Sequence, residues 1–226
     1  MRYDELADNL ARTEERIAAA CQAAGRSRGE VTLVAVTKTW PASDAALLRD
    51  LGVHDLAENR DQEAREKSAR VPGVRWHFVG QVQTNKARSV ASYAHLVHSV
   101  DRPALVEALS DGATRAGRTV EVLLQVSLDG ARGGALPEDL LGLAAQVVAA
   151  DGLVLRGVMT VAPLGQDPAA AFGRLRALAA ELTAVHPSAR VISAGMSGDL
   201  EQAIAAGATH VRVGTAVLGH RGLPLR

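Results

Sequence analysis

The chain has 226 residues, 47% of them hydrophobic and 22% charged, and its 25 basic side chains balance its 25 acidic ones. That is the make-up of a folded domain rather than a disordered chain, and the even charge excludes any general attraction to nucleic acid or an anionic membrane, so an anion site has to be local. A single cysteine, Cys21, excludes an intramolecular disulfide, and no Cys/His grouping has metal-ligand spacing.

Residues 3–25 place Leu6, Leu10, Ile17 and Cys21 on one face among Asp, Glu and Arg, which predicts an amphipathic helix with Cys21 as a buried core thiol. The charged N-terminus has no apolar stretch of signal-peptide type, and no later run reaches the length of a membrane span. The expectation is a cytoplasmic protein with a reduced cysteine. From Val31 a second rhythm begins, in which short apolar strands alternate with Ala/Leu-rich helical stretches. Strands are predicted at 31–38, 54–59, 75–80, 95–100, 121–128, 153–161, 190–194 and 210–214. Helices are predicted at 43–51, up to about residue 70, at 86–92, 103–116, 137–150, 168–185 and 199–207. Eight βα units in so short a chain, with no GxGxxG after the first strand and no linker, predict α/β architecture as one closed (β/α)8 TIM barrel. One domain over 1–226 is expected, with 1–27 as an extra N-terminal helix packed on the barrel.

In such a barrel the chemistry sits where the strands end. The strand ends deliver Lys38; Glu58 and Asn59; His77 and Gly80; Ser99 and Asp101; Gln125 and Ser127; Met159 and Thr160; Ser193 to Ser197; and Arg212, Gly214 and Thr215. Lys38, closing the run Val31 to Thr37, is either a solvated strand-end charge or a reactive amine. The stretch Ser193-Ala194-Gly195-Met196-Ser197-Gly198-Asp199 offers small residues, a hydroxyl and a serine at the expected helix N-cap, with Asp199 serving the helix dipole. With Arg212-Val213-Gly214-Thr215 it makes two adjacent loops of approachable amides, the phosphate cup of this architecture. A lysine opposite a phosphate cup suggests a phosphorylated aldehyde: Lys38, made reactive by burial and by Arg212, would form a Schiff base with pyridoxal 5′-phosphate.

Four motifs then match a known family: Val34-Ala35-Val36-Thr37-Lys38, His77 through Lys86, Gly195-Met196-Ser197-Gly198-Asp199 and Arg212-Val213-Gly214-Thr215-Ala216. In these the chain resembles the pyridoxal phosphate homeostasis proteins, also called the YggS-like or proline synthetase co-transcribed family, over residues 5 to 220. The resemblance implies a barrel of the alanine racemase N-terminal domain type with the cofactor on Lys38. It implies that Ser197, Gly214 and Thr215 hold the phosphate, that Arg212 faces the pyridine nitrogen, that Asn59 lies near the ring, and that Met196 and His77 line the pocket. It further implies a monomeric carrier that buffers pyridoxal phosphate or delivers it to pyridoxal phosphate-dependent apoenzymes without substantial catalysis. The alternative is a racemase or lyase with Lys38 as base. Against that alternative, a racemase needs a second base, a tyrosine in the racemase fold, and the only tyrosines, Tyr3 and Tyr93, are not at strand ends. The chain departs from the family where Phe-Gly-Glu-Asn-Tyr is replaced by Leu56-Ala57-Glu58-Asn59-Arg60, and where Arg132 stands for a frequent lysine.

Overall fold

The computed structural model describes residues 1–130 and 133–219; Arg132 lies outside them. Helix α1, Arg2–Ala23, leads into β1, Thr32–Val36, and α2, Ala42–Asp50. Strand β2, Asp55–Glu58, is followed by α3, Asp61–Arg70, and β3, Arg75–Phe78, by α4, Ala87–Tyr93. Strand β4, Leu96–Val100, precedes α5, Pro103–Arg115; β5, Val120–Gln125, precedes α6, Leu140–Ala149. Strand β6, Leu153–Met159, leads to α7, Pro168–Val185, and β7, Val191–Ser193, to α8, Leu200–Ala205. Strand β8, His210–Val213, ends in a short helix α9, Thr215–Leu218.

The eight strands are parallel, each beside its sequence neighbour, and β8 pairs back onto β1 from Thr32 opposite His210 to Ala35 opposite Val213, closing the barrel. All eight expected strands are present, each within a few residues of its expected limits. Helix α9 was not among the expected elements: four residues are too few to show a period.

Strand periodicity divides each strand between two cores. In β1, Leu33 and Ala35 join the large cluster between strands and helices, while Val34 and Val36 face the barrel interior with Ala57 and Val79. A second interior cluster holds Leu96, Leu123 and Met159. This two-sided burial is why the strands read as unbroken apolar runs.

Helix α1 lies across the outside of the C-terminal units. Its Leu6 and Ile17 are completely buried, each contributing roughly 1.5–3 kcal/mol, and Cys21 is a buried free thiol. Its polar face reaches the ends of β7 and β8: Arg2 donates to the Leu218 carbonyl at 3.0 Å, Asn9 to Val217 at 3.1 Å and Arg16 to Ser197 at 3.1 Å. Among the described residues, no helix is long and apolar enough to cross a membrane.

Candidate functional site

A cavity of about 390 Å³ opens at the carboxyl ends of the strands, inside the usual size range of small-molecule sites. Val36, Val79, Met159 and Val161 supply its apolar wall, and Lys38, Asn59, Ser197, Arg212 and Thr215 its polar groups. Seven of the eight expected site residues line it: Lys38, Asn59, Met196, Ser197, Arg212, Gly214 and Thr215.

The alternation of β1 explains the lysine. Val34 and Val36 face inward, and Lys38 continues that phase onto the cavity, while Thr37 turns outward. Strand β1 stops at Val36, however, and residues 37–40 form a turn in which Trp40 N donates to Thr37 O at 3.1 Å. That turn lifts Lys38 to the mouth, where it is exposed, so the burial expected to make its amine reactive is not present. The next residue, Thr39, has φ 68°, the one non-glycine positive φ among the described residues and a costly one for a β-branched side chain. Glu63 holds it by accepting the Thr39 N–H at 3.1 Å.

Behind the turn lies a pair not anticipated from the sequence. Glu58 was expected to reach the site, but its side chain takes the outward phase of β2 and is fully buried under α3. There its Oε1 accepts from Lys67 Nζ at 2.5 Å and from Thr37 Oγ1 at 2.6 Å, and Lys67 also donates to the Thr37 carbonyl at 2.8 Å. Burial pushes the Glu58 carboxyl above its usual range, opposed by Lys67 and Thr37. Lys67 lies three residues after buried Ala64, on the inner face of α3.

Asn59, one residue on, takes the inward phase. A Cβ on Gly80 would lie 2.1 Å from the Asn59 carbonyl oxygen, so only glycine lets the ends of β2 and β3 converge there. The departures in this segment fall mostly away from the cavity. Leu56 packs in the outer core, Ala57 in the barrel interior, and Arg60 points into solvent beside Glu63, 3.6 Å away.

The loops after β7 and β8 meet at two hydroxyls. Thr215 Oγ1 donates to Ser197 Oγ at 3.1 Å, and Ala216 N donates to the same oxygen at 3.3 Å. Gly195 permits the turn into this loop, having φ 88° and no room for a Cβ against Ala203. Asp199 rather than Ser197 is the N-cap position of α8. Its carboxylate accepts Met196 N at 2.6 Å, bracing the loop that carries Ser197. At the floor, buried Arg212 donates to Ser193 Oγ at 2.7 Å and to the Thr160 carbonyl at 2.9 Å. Burial lowers its guanidinium to about 10, partly offset by Asp199, so it stays charged at neutral pH.

His77 is the expected site residue that does not line the cavity. It is Val79, two residues along the same phase, that reaches the wall. His77 lies in the barrel interior, with Nε2 2.8 Å from Asp55 Oδ1 and Nδ1 2.9 Å from His98 Nε2.

Comparison with known proteins accords with this arrangement. The family model for the alanine racemase N-terminal domain matches residues 8–222. The pyridoxal phosphate homeostasis protein of Mycobacterium tuberculosis H37Rv is 44% identical over 245 residues, covering 98% of this chain and 95% of that one. This chain belongs to the pyridoxal phosphate homeostasis protein family. Another similar structure is PipY of Synechococcus elongatus PCC7942, solved with PLP bound: 36% identity, TM-score 0.82, covering 95% of this chain and all of that one. The alanine racemase of Corynebacterium glutamicum shares the barrel, with TM-score 0.70 at 17% identity, across 99% of this chain and 62% of that one. At that identity the likeness shows the fold alone. The homeostasis protein family and the barrel read from the four motifs both stand.

Proposed function

We propose that this chain binds pyridoxal 5′-phosphate reversibly on Lys38 and buffers or delivers it, rather than turning over an amino acid. One observation carries the reading: a single cavity gathers a primary amine, two hydroxyls 3.1 Å apart beside a backbone N–H, and a buried guanidinium. That donor set fits the group. When bound, the cofactor supplies an aldehyde reactive toward amines, an electron-withdrawing ring and a phosphate.

Lys38 offers the amine, and its exposure at the mouth leaves a route for the ligand to enter and leave. Ser197, Thr215 and the Gly214 loop hold the phosphate. Arg212 faces the ring nitrogen; a guanidinium only donates, so it leaves that nitrogen without a proton and weakens the ring as an electron sink. Asn59 lies beside the ring, and half-exposed Met196 lines the cavity. A carrier rather than a racemase is supported by the tyrosines. Tyr3 lies on α1, while Tyr93 closes α4 with its hydroxyl on Asp61 at 3.2 Å; neither borders the cavity. Pyridoxal phosphate-dependent apoenzymes are the proposed recipients.

The test is spectroscopic. Protein incubated with pyridoxal phosphate and desalted is expected to show the visible band of lysine-bound cofactor, lost in Lys38→Ala, and to yield its cofactor to an added apoenzyme. Turnover of L- or D-amino acids well above that of free cofactor would replace the carrier reading with a catalytic one.

A further inference from the structure

We propose that Ser193, His98 and His77 are positioning residues for Arg212: with Asp55 they form a one-way hydrogen-bond relay across the barrel interior that sets where the guanidinium points. The heavy-atom chain is continuous. Arg212 Nη1 lies 2.7 Å from Ser193 Oγ, Ser193 Oγ 2.9 Å from His98 Nδ1, His98 Nε2 2.9 Å from His77 Nδ1, and His77 Nε2 2.8 Å from Asp55 Oδ1. His77, His98, Ser193 and Arg212 are all buried, whereas Asp55 opens partly to solvent at the start of β2, the end of the barrel opposite the cavity.

The direction of every bond follows from the carboxylate end. Asp55 only accepts, so with both imidazoles neutral His77 carries its proton on Nε2 and donates to it, leaving His77 Nδ1 to accept. His98 therefore carries its proton on Nε2 and donates to His77 Nδ1. Its Nδ1 in turn accepts the Ser193 hydroxyl hydrogen, and Ser193 Oγ accepts from the guanidinium of Arg212, which has only donors. The relay thus joins a buried cation to an anion on the far face through two neutral imidazoles. Burial favours a neutral His98, as does the charged Arg212 nearby. The Asp55 end is also faced by Arg75, 3.7 Å from its carboxylate, and by the titratable His210, whose ring lies 6.3 Å from that of His77. The fixed guanidinium matters for the cofactor on the proposed reading of Arg212 as partner of the ring nitrogen.

The experiment uses full-length protein labelled with 15N-histidine, without cofactor near neutral pH, in the wild type, Ser193→Ala, Asp55→Ala and the double variant. Nitrogen spectra are expected to show His77 and His98 as neutral Nε2–H forms in the wild type and in Ser193→Ala, since the carboxylate end enforces the order. Mixed tautomers are expected in Asp55→Ala and in the double variant, because Ser193 Oγ can accept from Arg212 and His98 together. In parallel, absorbance titration with pyridoxal phosphate is expected to show Ser193→Ala binding about fivefold more weakly or worse, the size of one lost hydrogen bond, with a shifted band. A wild-type His98 in the Nδ1–H form, a cationic His77, or a Ser193→Ala variant with unaltered affinity and band would each overturn the proposal. If Ser193→Ala does not fold, the wild type and Asp55→Ala still decide the tautomers. If the wild type takes up no pyridoxal phosphate, the cofactor reading fails while the nitrogen spectra still decide the relay.

Discussion

Lys67 shows how much one side chain behind the site has to hold. Its ammonium is the sole cationic partner of a fully buried Glu58 among the described residues, and both groups also anchor Thr37, the residue before Lys38. Removing one member of a buried pair leaves the other charged without compensation, which costs roughly 3–5 kcal/mol. Lys67→Ala is therefore expected to lower the unfolding free energy from urea denaturation by that order, with Lys67→Met plus Glu58→Gln recovering most of it. The loss should shrink as pH falls. A carboxyl whose folded pKa is raised takes up a proton more readily in the fold, so protonating it favours the folded state, and neutral Glu58 needs no counter-ion. Denaturation curves of the variant near neutral and at mildly acidic pH check both statements.

At the scale of elements, α1 is a brace rather than an appendage. Arg16 donates to the Ser197 carbonyl and pairs with Glu201 at 2.8 Å, while Arg2 and Asn9 take the last carbonyls of α9, whose first turn carries Thr215. The Arg16–Glu201 pair is exposed, and such pairs contribute at most about 1 kcal/mol. Arg16→Ala is expected to leave the melting temperature nearly unchanged and to weaken pyridoxal phosphate binding severalfold, because the loop bearing Ser197 loses its outer tie. Thermal melts beside absorbance titrations separate the two effects. The strands and long helices were legible because each carries a run or period longer than its own turn. The cavity-facing phase was legible too, since period two carries Val34 and Val36 on to Lys38. The outward turn of Glu58 was not. An acidic residue at a strand end reads the same whether it meets a cavity or a lysine on the following helix, and only packing of α3 on β2 distinguishes them.

For the molecule as a whole, the interior histidines tie stability to pH. Burial holds His98 well below its usual range and His210 at about 4, with nearby His77 and Arg212 acting in the same direction. The unfolded chain therefore takes up protons that the fold refuses, so this stability is present above about pH 6.5 and is lost as pH falls through about 4. Asp55, kept below the carboxylate range by His77 and Arg75 against its own burial, gives way lower still. Stability is expected to drop by on the order of 2 kcal/mol between about pH 7 and about pH 4.5, since each displaced unit is worth roughly 1.4 kcal/mol. Urea midpoints across that range check it, and His210→Gln should flatten part of the slope.

The amino-acid order by itself determined the alternating strands and helices, the closed barrel, the family, and seven residues that border one cavity, because these follow from periodicity and from short motifs confined to single strand ends. Tertiary structure alone decided that Lys38 stands exposed on a strained turn, that Glu58 faces Lys67, and that His77 looks away from the cavity toward His98 and Asp55. The first two depend on how the β1 turn and α3 pack at the strand ends, and the third on which side chains from β2, β3, β4 and β7 meet inside the barrel. Such meetings join positions up to 95 residues apart, as His98 and Ser193 are, and no local pattern encodes them.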